Sequence, residues 1–374
     1  MKITRISAYQ VDLPMREGSY SWAGHSFAAF DSTVVKVETD AGIEGFGEVC
    51  PLGPAYLAAY AEGARAAIAK LAPGLIGEDP RHIERVYHRM DRLLKGHGYA
   101  KSALDMACWD ILGKASGLPL YALLGGKFSG RIKLFKVICK DQPEVMAAKV
   151  AEYRAAGYDH FQMKVGGSAA ADIARIQQVA AELRGGETLT ADANTGWLLH
   201  DAMRVARAVR DVDLYLEQPC LSYEECLSLR RHTDHPLVLD ECMDSLEMIM
   251  RGRRDRAMDV VNLKIMRMGG ISRLRQARDL CVQLGITMAI EDAWGGEIVT
   301  AAIAHLSQSA PPGFHFQSSA FTDYNTVQTA DSGVVIGDGF MSAGDAPGLG
   351  ITPRMEVLGG AVFQTAPAAH SKTS

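Results

Sequence analysis

The stretch "HFQMKVGGSAAADIARIQQVAAELRGGETLTADAN", residues 160–194, decides the fold. A short apolar run ends in Lys164 and a glycine pair, an Ala- and Ile-rich helical segment follows, and a second apolar run ends in Asp192. That is one strand, one helix and one strand, the unit of an α/β protein with a parallel sheet.

Outward from it the same rhythm continues. Short apolar runs occur at "KLFKVICK" (133–140), "HFQMKVG" (160–166), "TLTADAN" (188–194), "LYLEQP" (214–219), "LVLDE" (237–241), "VVNLKI" (260–265), "TMAIEDA" (287–293) and "FHFQSSA" (314–320). Helical segments such as "DQPEVMAAKVAEYRAAG" and "ISRLRQARDLCVQLG" lie between them. Eight such units predict a (β/α)8 barrel, whose active site sits at the C-terminal ends of the strands. A doubly wound open sheet expects a glycine-rich phosphate loop after an early strand, and neither G-x-G-x-x-G nor G-x-x-x-x-G-K-[ST] occurs.

Around the barrel region, residues 127–321, two further regions are expected. Residues 1–126 mix strand-like and helical runs as an α+β domain, and residues 322–374, with "GDAPGLGITP", lose the rhythm and are expected to return to the N-terminal region.

Composition narrows the function classes. Of 374 residues, 48% are hydrophobic and 22% charged, as in an ordinary globular protein. A net charge of −5 without a basic stripe argues against nucleic acid as partner. The opening "MKITRISAYQVDLP" alternates like a half-buried strand rather than a signal peptide, and no apolar run reaches membrane-spanning length. Seven scattered cysteines without a C-x-x-C pair suit a reducing cytoplasm and not a thiolate metal site.

The five middle strands each end in a charged residue: Lys164, Asp192, Glu217, Asp240 and Lys264, separated by 28, 25, 23 and 24 residues. One acidic residue before a helix is commonly an N-cap. Three carboxylates on adjacent strands repel one another and need a positive charge among them. With no His or Cys in the set, a hard cation bound through oxygen, Mg²⁺, suits it better than zinc. The lysines end the second and sixth strands, diametrically opposed in an eight-stranded barrel. This arrangement points to removal of a proton α to a carboxylate, with one lysine on each face of the substrate. A lysine base requires its pKa to be lowered, which burial and a nearby cation can do.

Taken together, "AKSALDMACWDILGKASGLPLYALLGG", "ADANTGW", "LEQP", "LDE", "LKIMRMGG" and "EDAWGG" resemble the enolase superfamily, in its mandelate racemase and muconate-lactonizing group. Enolase-type sites with Lys or His bases and Mg²⁺ are a known pattern. The resemblance implies that Asp192, Glu217 and Asp240 hold Mg²⁺, that Lys164 and Lys264 are the acid/base pair, and that Asn194 and Glu241 support them, Glu241 close to Lys264. It also implies a homo-oligomer and an N-terminal domain that caps the barrel mouth with two specificity loops, "REGSYSWAGHS" (16–26) and "CPLGPAY" (50–56).

The sequence departs from the family's Lys-x-Lys on the second strand, where it has Gln162-Met163-Lys164. Gln162 offers a hydrogen bond to a substrate carboxylate but no charge. The seventh strand offers Glu291 and Asp292, not a catalytic histidine. The Gln-x-Lys variant is similar to the branch acting on proline derivatives, which implies dehydration of cis-3-hydroxy-L-proline or, alternatively, 2-epimerisation of a hydroxyproline betaine. Asp292 is then expected to pair with the ring nitrogen, and Trp22, Tyr56 or Trp294 to pack on it. The plainer expectations are a surface position for Trp22 and a core one for Trp294. A barrel that binds a small acid without turning it over is the reading of a different class.

Overall fold

The eight apolar runs form one parallel sheet in chain order: Lys136–Ile138, His160–Lys164, Thr188–Asp192, Tyr215–Glu217, Leu237–Leu239, Val260–Lys264, Thr287–Glu291 and His315–Ser318. It closes where Leu134 pairs in parallel with Ser318 and the Phe135 amide donates to the Ser318 carbonyl at 3.1 Å. The structure is a computed structural model and describes residues 1–22 and 24–365. Ala23, in the first expected specificity loop, and residues 366–374, the end of the expected C-terminal segment, lie outside the described residues.

Register levels the charged strand ends. Lys164 and Glu217 both pair with Asp192, and Lys264 pairs with Glu291, so these five strand ends sit on one rim. Asp240 directly follows the fifth strand. Because alternate strand residues share a face, Gln162 and Asn262 accompany Lys164 and Lys264 toward the barrel interior.

The N-terminal region is an antiparallel sheet of Ile3–Pro14, Ala29–Thr39 and Glu44–Val49, joined at its edge by Phe363–Gln364 from the C-terminal segment. The helix Gly98–Ser116 lies against it. Only glycine permits that approach: a Cβ at Gly47 would stand 1.9 Å from the Ala103 carbonyl oxygen. Earlier in the C-terminal segment, the hairpin Val335–Gly337 and Phe340–Ser342 pairs with Ile132–Lys133 beside the barrel.

Two buried carboxylates dock this domain onto barrel helices. Asp105 accepts the backbone N–H of Ser272 at 2.9 Å and its hydroxyl at 2.6 Å, at the start of the helix Ile271–Leu284. Glu48 accepts the N–H groups of Gly296 (2.8 Å) and Val299 (3.1 Å), at the start of the helix Glu297–Gln308, and the Ser32 hydroxyl at 2.7 Å. Helix N-termini have unpaired N–H groups, and carboxyl oxygens there accept them. All seven cysteines are free. Among the described residues no helix is long and apolar enough to cross a membrane.

Candidate active site

A small cavity opens between the barrel rim and the N-terminal domain. Barrel side chains Gln162, Lys164, Asp192, Asn194, Lys264, Glu291 and Asp292 form its floor, and Tyr20, Trp22, Leu52 and Tyr56 come from the two expected loops. Trp294, Phe321 and Tyr324 complete an aromatic wall.

The carboxylates are held by cations and amides. Asp192 accepts from Lys164 Nζ at 2.5 Å and from the Asn194 amide nitrogen at 2.8 Å. Glu217 accepts from Gln162 Nε2 (2.8 Å) and Asn262 Nδ2 (2.9 Å). Asp240 accepts from Arg267 Nη1 at 2.5 Å and from the Tyr56 hydroxyl at 2.9 Å, with Lys264 Nζ also at 2.9 Å. Lys264 further stands 3.5 Å from Glu291. Gln162 thus turns its amide to Glu217, the position of a group that supports the site. Glu241 accepts from Asn194 Nδ2 at 3.1 Å, while Glu291 is the carboxylate paired with Lys264.

Burial alone lowers a lysine, yet both lysines are held above the ordinary ammonium range, Lys164 by Asp192, Tyr20 and Glu217 and Lys264 by Asp240 and Glu291. The lowered pKa expected of a lysine base is therefore not a property of this arrangement, because each ammonium lies against a carboxylate. Among the acids, Glu217, Glu241, Glu291 and Asp292 are pushed toward the neutral form, whereas Asp240, although burial alone would raise it, is held below the carboxylate range by Arg267 and Lys264. Burial, then Asp192 and Asp240, push Glu217 well above the carboxylate range, and burial and Asp240 push Glu241 up to about 8. Burial pushes Asp292 up to about 7 although it accepts the N–H groups of Ala293 (2.8 Å) and Met266 (3.1 Å).

Trp22 is 3% exposed, not a surface residue: its ring stacks on Phe27 and meets Tyr56 edge-on. Trp294 belongs both to the core and to the cavity wall, donating from Nε1 to Asn325 Oδ1 at 3.0 Å and packing on Tyr20 at 4.9 Å.

Among the described residues no three His, Cys, Asp or Glu side chains are gathered closely enough to hold a metal ion as they stand. The donor chemistry nevertheless fits a hard divalent cation. Six acids, Asp192, Glu217, Asp240, Glu241, Glu291 and Asp292, gather beside three cations, Lys164, Lys264 and Arg267. The cations ion-pair with Asp192, Asp240 and Glu291 alone among them, and the unpaired acids are the ones a cation would relieve. Asn194 Oδ1, Asn262 Oδ1 and Glu241 Oε2 are buried without a hydrogen-bond partner among the described residues, three hard oxygen atoms left free beside the carboxylates.

Sequence reading missed Arg267, Asn262 and Tyr20. Asn262 carried a signal, since it lies two residues before Lys264 on the same strand face. Arg267 lies in a four-residue helix, Ile265–Met268, directly after the strand, and Tyr20 sits in a short hairpin, Tyr20–Trp22 with His25–Phe27, so neither has a periodicity to betray it.

Comparison with known proteins agrees with this geometry. Residues 6–125 match the mandelate racemase/muconate lactonizing enzyme N-terminal domain, and residues 145–357 match the enolase C-terminal domain-like family. The cis-3-hydroxy-L-proline dehydratase of Roseibium aggregatum is 52% identical over 360 residues, 96% of this chain and 98% of that protein. A mandelate racemase/muconate lactonizing enzyme from Roseovarius nubinhibens ISM is 44% identical with a TM-score of 0.95, covering 98% of each chain. A second structure from that organism, complexed with magnesium, is 38% identical with a TM-score of 0.94, covering 98% of this chain and 100% of the other. The capped barrel, the charged rim and these likenesses make the chain an enzyme of the mandelate racemase/muconate lactonizing family in the enolase superfamily.

Proposed function

We propose that this enzyme dehydrates cis-3-hydroxy-L-proline to Δ1-pyrroline-2-carboxylate, with Asp192, Glu217 and Asp240 holding Mg²⁺. The observation that carries the reading is that Lys164 and Lys264 face one small aromatic-walled cavity in a chain 52% identical to a protein named for that reaction. A bound Mg²⁺ would supply the positive charge that balances the rim carboxylates and stabilises negative charge developing on the substrate carboxylate.

In the cis isomer the hydroxyl shares a ring face with the carboxylate, so the α-proton and the leaving group lie on opposite faces. One lysine, as the neutral amine, takes the α-proton from Cα, and the other, as the ammonium, gives a proton to the hydroxyl at C3 as the C3–O bond breaks. Water leaves, and the enamine that remains shifts its proton to become the cyclic imine. Asp292, in the cavity wall, pairs with the ring N–H₂⁺. The surrounding rings exclude water from the reacting carbon.

The aromatic wall also favours a second reading, 2-epimerisation of a hydroxyproline betaine, whose quaternary nitrogen would rest on Trp22, Tyr56 and Trp294. NMR of the products in D₂O separates the two. Conversion of cis-3-hydroxy-L-proline to the imine supports dehydration, and inversion at Cα without loss of water, or preferred turnover of 4-hydroxyproline betaine, overturns it. Assembly of the chain into a homo-oligomer belongs to the same proposal, and sedimentation equilibrium tests it.

A further inference from the structure

The two lysines are partnered asymmetrically. Lys164 meets Asp192 from the neighbouring barrel strand, and the capping domain reaches it with the Tyr20 ring alone among the described cation–π partners, its centroid 5.9 Å from Nζ. Lys264 has barrel partners in Asp240 and Glu291, and in addition donates to the Tyr56 hydroxyl at 2.5 Å, with the Tyr56 ring centroid at 4.9 Å. Tyr56 comes from the loop just after the strand Glu44–Val49, so this contact crosses from cap to barrel.

We propose that the Tyr56 hydroxyl is a positioning group that aims the Lys264 amine into the cavity, so that the cap completes one acid/base lysine and not the other. The inference rests on the two-lysine reading above. A lysine amine rides on a flexible four-carbon stem, and its direction is set by the oxygen atoms around it. Tyr56 is part of the cavity wall and Asp240 is not. Without the hydroxyl, the oxygen partners left to Lys264 are barrel carboxylates, Asp240, which does not line the cavity, and Glu291 on its floor at 3.5 Å, and neither would draw the amine toward the cap. The Tyr56 hydroxyl in turn donates to Asp240 Oδ2 at 2.9 Å, which fixes its own orientation, and Trp22 braces the ring edge-on at 6.3 Å. This role belongs to the hydroxyl and is separate from any packing of the ring on substrate.

Tyr56→Phe keeps the ring and removes only the hydroxyl. The test uses the full-length Mg²⁺-loaded enzyme and follows α-proton exchange with D₂O for L-proline and D-proline, which present their α-protons to opposite faces. Lys264→Ala identifies the enantiomer served by Lys264. Tyr56→Phe is expected to slow exchange of that same enantiomer about tenfold, the effect of losing one charge-assisted hydrogen bond, and to leave the other within about twofold. In dehydration of cis-3-hydroxy-L-proline, kcat is expected to fall by a similar factor with KM nearly unchanged. Unchanged exchange of both enantiomers, an equal loss for both, or an undiminished kcat overturns the positioning role. If Lys264→Ala itself leaves exchange and turnover intact, the two-lysine reading falls and the inference falls with it.

Discussion

The barrel rim and the capping loops face one another across the cavity, and they are held in place by different forces. On the rim, Lys164, Asp192 and Glu217 are locked at one level by parallel ladders, and Lys264 by its pairing with Glu291. Their oxygens and nitrogens are spent on one another. Across from them, Tyr20 and Trp22 sit on a hairpin of two three-residue strands, and Tyr56 on an irregular loop, fixed mainly by ring-on-ring packing and a few hydrogen bonds. A ladder fixes position to fractions of an ångström and suits groups that move protons. Packed rings adapt, and suit groups that choose which molecule enters. The rim should therefore govern kcat and, the Tyr56 hydroxyl apart, the loops chiefly KM, and substitutions on each side test that division.

The largest effect is expected on the rim acids. Asp192→Asn keeps the side-chain shape and removes a charge, and should lower kcat/KM by roughly 10³-fold or more, since a catalytic cation contributes several kcal/mol. Mg²⁺ binding followed by calorimetry should weaken in parallel, with the circular dichroism spectrum unchanged. A variant that keeps wild-type Mg²⁺ affinity would remove Asp192 from the metal site.

Next come the lysines. Lys164→Ala and Lys264→Ala should each lower kcat of dehydration by about 10²- to 10⁴-fold, the usual worth of a general acid or base, with KM changing far less. A loss confined to KM would move that lysine from chemistry to binding.

A smaller effect is expected across the cavity. Trp22→Ala deletes a ring that braces Tyr56 and lines the entry, and should raise KM about tenfold while kcat falls less, in keeping with roughly 1 kcal/mol for a ring packed on a cation. Steady-state kinetics on cis-3-hydroxy-L-proline would show it, and a kcat loss as deep as that of the lysine variants would break the division between rim and loops.

The same contrast explains what the sequence revealed. A barrel repeats with a nearly constant length, so a charge at the end of each strand recurs at nearly constant spacing, and Lys164, Asp192, Glu217, Asp240 and Lys264 could be found by counting. Strand alternation placed Gln162 on the same inner face, but it could not say that its amide would turn to Glu217, because that depends on a neighbour two strands away. Arg267 reaches Asp240 from the short helix Ile265–Met268, and Trp22 is buried by a hairpin that folds over the barrel, so their roles come from tertiary packing. The paired charges that raise both lysines were equally invisible, since each arises from a cross-strand or cap-to-barrel contact.

The smallest effect on turnover is expected where the two regions are joined, far from the reacting groups. Glu48 holds the helix that follows the seventh barrel strand, and burial pushes its carboxyl from an ordinary 4.5 up to about 7 despite three donors. A carboxyl raised in the folded state binds its proton more tightly there than in the unfolded chain. Its stabilising contribution is complete below pH 4.5 and is lost as pH rises through about 7. Across that window it should tilt unfolding free energy downward by up to about 1.4 kcal/mol per pH unit. Asp105, also pushed to about 7 by burial, adds a slope of the same sign, so the isolating measurement is the difference between wild type and Glu48→Gln. Denaturant unfolding from pH 5 to 8 should show the wild type losing its advantage over the variant as pH rises, while kcat of the two stays within about twofold. Parallel stability profiles would mean that Glu48 stays ionised on the helix N-terminus, so that the dipole and its three donors outweigh burial.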